Sequence, residues 1–184
     1  MANYLSREEA QQLAARILAF SQADQARVNI NSGETGNTRF AVNQISTAGD
    51  VMNATATVTS AFGKRVASAT TNAFDDASLE RVVRTSEQLA RLSPENPEYL
   101  GELGPQQYAE ADSVFESTAN LAPDQRAAAV AAVTEASAGR NLLSTGFLVH
   151  NTGSTAVATS AELFAYNADS RLNFTTTVRT PDGT

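Results

Sequence analysis

Twice along the chain the hydrophobic period switches from that of a helix to that of a strand, and this alternation limits the fold more than any other feature. Ser6 followed three residues on by Glu9 is a capping-box pattern, and Ala10, Leu13, Ala14, Ile17 and Leu18 fall on one helical face. A helix is predicted from about Ser6 to Gln22. From Ala26 the period becomes two, with Val28 and Ile30 alternating against Asn29 and Asn31. Gly33 to Gly36, reading GETG, carries turn chemistry and is read as a hairpin. A second strand then covers Asn37 to Ser46, Thr47 to Asp50 forms another turn, and Val51 to Ala61 is a Thr-rich third strand. Gly63-Lys64 is a tight reversal into Arg65 to Thr71. Four antiparallel strands in a meander after one helix are the simplest assembly.

Asp75 and Asp76 stand where a helix start favours negative charge, and Leu79, Val82, Val83, Leu89 and Ala90 form the next apolar face. The second helix is predicted at Asp76 to Leu92, ended by Ser93-Pro94, with a loop over 93–121 punctuated by Pro94, Pro97, Gly101, Gly104 and Pro105. Pro123 opens a third helix to Ala138, with Gly139 expected as an αL cap. Period two returns over Leu142 to Asn151, Thr155 to Ser160, Leu163 to Asn167 and Leu172 to Thr180. The same order of elements thus occurs in two repeats, about 1–74 and 122–184. In rough register ARVNINSGETGNTRFAVNQIS corresponds to STGFLVHNTGSTAVATSAELF, and ATATVTS to FTTTVRT. Neither repeat would bury its sheet face alone, so the expected class is α+β, with duplicated helix-plus-antiparallel-meander units packed as one domain over 1–184. The closing TVRTPDGT ends on a turn signal that normally introduces another element, so a longer parent protein with a C-terminal half is expected.

Composition excludes several functions. With 42% hydrophobic and only 18% charged residues among 184, the chain is expected to build a core. A net charge of −7, with 13 Lys and Arg scattered and in no basic run, repels a phosphate backbone, so no direct nucleic-acid partner is expected. The absence of Cys removes disulfides and thiolate metal sites and suits a reducing compartment, making the cytoplasm the default. No signal-peptide pattern opens MANYLSREEA, and the run Ala127 to Val133 is far too short to cross a bilayer, so no membrane partner is expected.

Chemistry is sparse. His150 is the single histidine, which rules out HExxH-type pairs, and no GxSxG elbow surrounds any serine. His150 is read as ending a strand, in a turn-capping or surface role. The pairs Glu8-Glu9 and Asp75-Asp76 are explained by helix dipoles, and Glu110 and Asp112 are read as solvated. GETG joins strands instead of opening a helix, so it does not cradle phosphate. No catalytic, cofactor-binding or metal-ligating residue is identified. The Thr-rich runs fit either a regular adhesive surface or an ordinary half-exposed sheet face, and propensity favours the latter. Their hydrogen-bonding faces also suit an extended peptide laid alongside.

The stretch NTRFAVNQIS, Asn37 to Ser46, places Arg39, Asn43 and Gln44 in an otherwise apolar strand. By alternation Arg39, Ala41, Asn43 and Ile45 share one face, with Phe40 and Val42 on the core side. A solvated strand, a ligand-binding strand and a strand facing an absent part of the protein are the three readings. Together with the Thr-rich strand, FGKRVASATTNAFDDASLERVV and ARLSPENPEY, this stretch resembles the N-terminal domain of the TldD/PmbA family, the modulators of DNA gyrase. The resemblance spans nearly the whole chain and lies closer to the PmbA (TldE) side. It implies dimers with an internal cavity, homo- or heteromeric, and a TldD half that acts as a zinc metallopeptidase on unfolded or extended peptides. The implied zinc motif, HExxxH, belongs to the second half of such proteins or to the partner subunit. This chain is then a non-catalytic scaffold and substrate-cavity domain, with Arg39, Asn43 and Gln44 on the cavity or interface face. The alternatives are the N-terminal half of a catalytic zinc metallopeptidase subunit and a free-standing polar-sheet module for binding or adhesion.

Overall fold

The computed structural model describes residues 3–109 and 111–183. Four helices and five strands follow in the order α1 (Arg7–Ala19), β1 (Gln25–Ala41), β2 (Gln44–Phe62), β3 (Arg65–Thr71), α2 (Asp76–Leu92), α3 (Glu116–Ala119), α4 (Pro123–Ala138), β4 (Leu143–Thr159) and β5 (Phe164–Arg179). The strands form one antiparallel sheet in the order β3-β2-β1-β4-β5, so the fold is α+β.

Three helices sit where the sequence places them, because their ends are set locally. Ser6 caps α1, and the Ser6 hydroxyl and Glu9 carboxylate close a reciprocal capping box. Asp75 caps α2 by accepting from the Ser78 amide at 3.0 Å, and hydrogen bonding from the Ser78 side chain first and its amide second lowers the Asp75 carboxyl from its ordinary value. Pro123 begins α4, whose first turn is closed by Gln125 accepting from the Ala122 amide. Gly139, however, keeps a right-handed φ of −62°, and the left-handed position falls on Asn141 at φ 56°. The connector also holds the short α3, read from sequence as loop.

The strands are fewer and longer than expected. GETG is not a hairpin: Gly33 to Gly36 lies inside the 17-residue β1. Thr47 to Asp50 likewise lies inside β2, and the four strands expected after Leu142 are two, β4 and β5. The reversal between β1 and β2 occurs at Val42 and Asn43, both at positive φ, 51° and 60°.

The residues group into two compact units. The first comprises the chain up to Gly33 with Asn53–Asp112 and Gly153–Ala168, and the second comprises Glu34–Met52, Ser113–Thr152 and the chain from Asp169 on. In the first unit α1 and α2 cover the sheet. Leu13, Ile17, Leu79, Val82 and Val83 pack on Val28 and Ile30 of β1, Ala56 and Val58 of β2, and Ala156 and Ala158 of β4. Each fully buried Ile, Leu or Val contributes about 1.5–3 kcal/mol. On β2 and β3 the pairing Ala56↔Thr71 to Phe62↔Arg65 sets Thr57 opposite Thr70 and Thr59 opposite Ser68, whose hydroxyls bond at 2.9 and 2.8 Å. The long connector is tied to β1. The Gln25 side-chain oxygen accepts from the Tyr99 hydroxyl and the Glu102 amide, and Arg27 pairs with Glu102 at 3.4 Å. Burial, reinforced by the neighbouring Glu102 charge, pushes the Tyr99 hydroxyl up to about 12.

In the second unit residues 34–41 of β1 and 143–152 of β4 alternate buried and exposed, with Gly36, Thr38, Phe40, Leu148, His150 and Thr152 inward. Helix α4 buries Arg126, Val130, Thr134 and Ser137. Three of these four side chains, Arg126, Thr134 and Ser137, are polar, which is unusual for a helix face turned inward.

Candidate functional site

Three groups of residues in the second unit carry polar chemistry. The first is buried. Arg126, at 1% exposure, donates from Nη1 to the Leu121 carbonyl at 3.1 Å, and its Nη2 lies 2.7 Å from Asp50 Oδ1. That ion pair lacks a well-aligned hydrogen bond, and among the described residues Arg126 Nε, His150 Nδ1, Thr38 Oγ1 and Thr152 Oγ1 have no hydrogen-bond partner either. Gly36 makes the arrangement possible: a Cβ there would come within 2.2 Å of His150 Cε1, 2.4 Å of Asp50 Oδ1 and 2.5 Å of Arg126 Nη1. His150 is therefore not at a strand end on the surface but in mid-strand at 2% exposure. Burial pushes its imidazole below the ordinary value of 6.5, the Arg126 charge pushes the same way, and Glu34 and Asp50 oppose both. At neutral pH this histidine is an uncharged, packed group.

The second group is the β1–β2 turn. Asn43 does not lie on a strand face. Its side-chain Nδ2 donates to the Leu142 carbonyl at 2.7 Å, and its Oδ1 accepts from the Ser144 amide and hydroxyl, both at 2.7 Å. Its own amide donates to the Ser144 carbonyl at 3.1 Å. Asn43 thus fastens the turn to the start of β4, a role in which Asn also tolerates positive φ. Val42, expected on the core side, is 60% exposed because the chain has already left the strand. Gln44, the first residue of β2, is exposed.

The third group surrounds Arg39. By alternation Arg39, Thr145 and Phe147 turn away from the buried Thr38, Phe40 and Leu148. Beside them β5 is exposed from Arg171 to Arg179. A cavity of about 410 Å³ opens here, lined by Arg39, Thr145, Gly146, Phe147 and Thr175 to Thr177. The Thr175 and Thr176 hydroxyls donate weakly to the Phe147 and Thr145 carbonyls at 3.4 and 3.5 Å. Arg39 is the only charge in the lining. Of the three residues singled out in the sequence, the structure places Arg39 in this cavity, fixes Asn43 in the turn, and leaves Gln44 exposed outside the lining. Thr175 to Thr177 belong to a Thr-rich run whose hydrogen-bonding face already suited an extended peptide, whereas Thr145 and Phe147 were not found, because nothing local marks them and long-range pairing brings them to Arg39. Among the described residues no three His, Asp or Glu side chains converge to hold a metal ion, and no helix is long and apolar enough to cross a membrane. Asp112 is exposed, and Glu110 lies outside the described residues.

Long antiparallel strands in the order β3-β2-β1-β4-β5, with helices inserted after β3, define an α+β fold shared with solved proteins. TldE from Thermococcus kodakarensis matches at a TM-score of 0.75 and 13% identity, over 92% of this chain and 42% of that one. A candidate modulator of DNA gyrase from Bacteroides thetaiotaomicron matches at 0.77 and 14%, over 92% of this chain and 40% of that one. Another from Thermotoga maritima matches at 0.75 and 11%, over 95% and 44%. The resemblance read from NTRFAVNQIS and the segments around it therefore holds at the level of the fold, and the chain spans under half the length of these structures. No family model matches the chain, and no curated protein sequence does.

Proposed function

We propose that this chain is a non-catalytic scaffold and substrate-cavity domain of a TldD/PmbA-type peptidase system that acts on unfolded or extended peptides. The observation that carries the reading is the match to TldE and to two gyrase-modulator structures over 92–95% of the chain. The open sheet face around Arg39 supports it. Beside it β5 is an edge strand of the sheet, and an edge flanked by hydroxyls is what an extended peptide needs for pairing. Partners in this reading are the remaining portion of a longer parent chain and a second TldD/PmbA-type subunit, to which any zinc chemistry would belong. The chain's own part is to hold peptide and frame a cavity.

Titration of the chain into an unfolded casein, followed by calorimetry, tests the binding role. Saturable binding without cleavage, with or without added zinc, is expected. Failure to bind, or hydrolysis abolished by a chelator, would overturn the reading.

A further inference from the structure

We infer that the cavity beside Arg39 binds a carboxylate of an extended peptide, either its C-terminus or an acidic side chain. The peptide nature of the ligand rests on the proposed function, whereas the anion chemistry rests on the cavity itself. In a chain of net charge −7, this lining holds one cation and no carboxylate. The Arg39 guanidinium has no ion-pair or hydrogen-bond partner among the described residues, unlike Arg16, Arg27, Arg84 and Arg126, each of which pairs with an acid. A guanidinium left unpaired at the wall of a cavity presents a planar fork that matches carboxylate geometry.

The rest of the lining fits the same ligand. The Thr145 and Thr177 hydroxyls have no partner among the described residues and can donate to a carboxylate oxygen, while the Phe147 ring gives an apolar wall for the adjoining methylene or Cα. The volume of about 410 Å³ is at the small end of ligand sites and accommodates a residue or two, not a folded partner. Phosphate-bearing polymers are disfavoured, since a single guanidinium in a chain of net charge −7 gives little counterion release.

Three N-acetylated octapeptides of neutral, extended sequence distinguish the possibilities by calorimetry at low salt. One is C-amidated, one has a free C-terminus, and one is amidated with a single internal Glu. At least one carboxylate peptide is expected to bind about tenfold more tightly than the neutral one, as a charge-assisted contact allows. The carboxylate that gains identifies the source. Arg39→Gln is expected to erase the difference with an unchanged urea midpoint, and Thr145→Val to reduce it. Equal binding of all three peptides, or a difference that survives Arg39→Gln, overturns the carboxylate assignment and leaves peptide binding standing. No binding by any of the three overturns both.

Discussion

Arg39 and Asn43 stand four positions apart and have opposite roles, which substitution separates. Arg39 is exposed and its guanidinium is unpaired among the described residues, so Arg39→Ala is expected to change unfolding free energy by no more than about 0.5 kcal/mol. Asn43 makes three side-chain hydrogen bonds from a residue at φ 60°, and Asn43→Ala is expected to cost about 2–3 kcal/mol. Urea unfolding of both variants checks the pair, and equal losses would contradict the assignment. His150 adds a pH dependence. Its folded-state affinity for protons is depressed, so the unfolded chain binds the proton more readily. Stability from this group is therefore complete above the ordinary value of 6.5 and falls as pH drops below it. Urea midpoints measured from pH 7.5 to 5.5 are expected to decline, and His150→Gln is expected to flatten that decline. An unchanged slope in the variant would show that another group titrates.

Among the elements, the helices were legible and the strand boundaries were not, for a physical reason. The ends of α1, α2 and α4 depend on contacts three or four residues away: Ser6 with Glu9, Asp75 with Ser78, Gln125 with Ala122. Asp75→Ala is accordingly expected to cost about 1 kcal/mol in unfolding free energy and to leave the β2–β3 pairing intact. The glycines at 33–36 gave a turn signal on local chemistry alone. Gly36 instead serves a packing need, as His150, Asp50 and Arg126 occupy the space of its missing side chain. Those partners lie 14, 90 and 114 positions away in sequence, so no window of local residues contains the reason. Where the turn does fall, Val42 occupies a positive-φ site that propensity would assign to Gly or Asn, and Asn43 supplies the compensating hydrogen bonds.

At the scale of the whole molecule, the defining step is the pairing of β1 with β4. Thr155 bonds to Asn31 across 124 residues, and Thr35 to Asn151 across 116. Such contacts are reached only after closing a long loop, so refolding is expected in the range of milliseconds to seconds. Stopped-flow refolding from urea measures this, and folding complete within microseconds would contradict the sheet order. The same pairing assembles the Arg39 cavity, since Arg39 comes from β1, Thr145 and Phe147 from β4, and Thr175 to Thr177 from β5. Arg39 stood out in the sequence as a charge within an apolar strand, whereas its companions are ordinary strand residues.

The amino-acid order by itself determined the α+β class, the three longer helices and the alternation that turns Phe40 inward and Arg39 outward, because capping and periodicity act over a few residues. Tertiary structure alone decided that GETG runs straight, that His150 is buried, and that Asn43 fastens a turn. Each of those outcomes depends on side chains that only sheet pairing and helix packing bring within a few ångströms, and that proximity outweighs local turn preference.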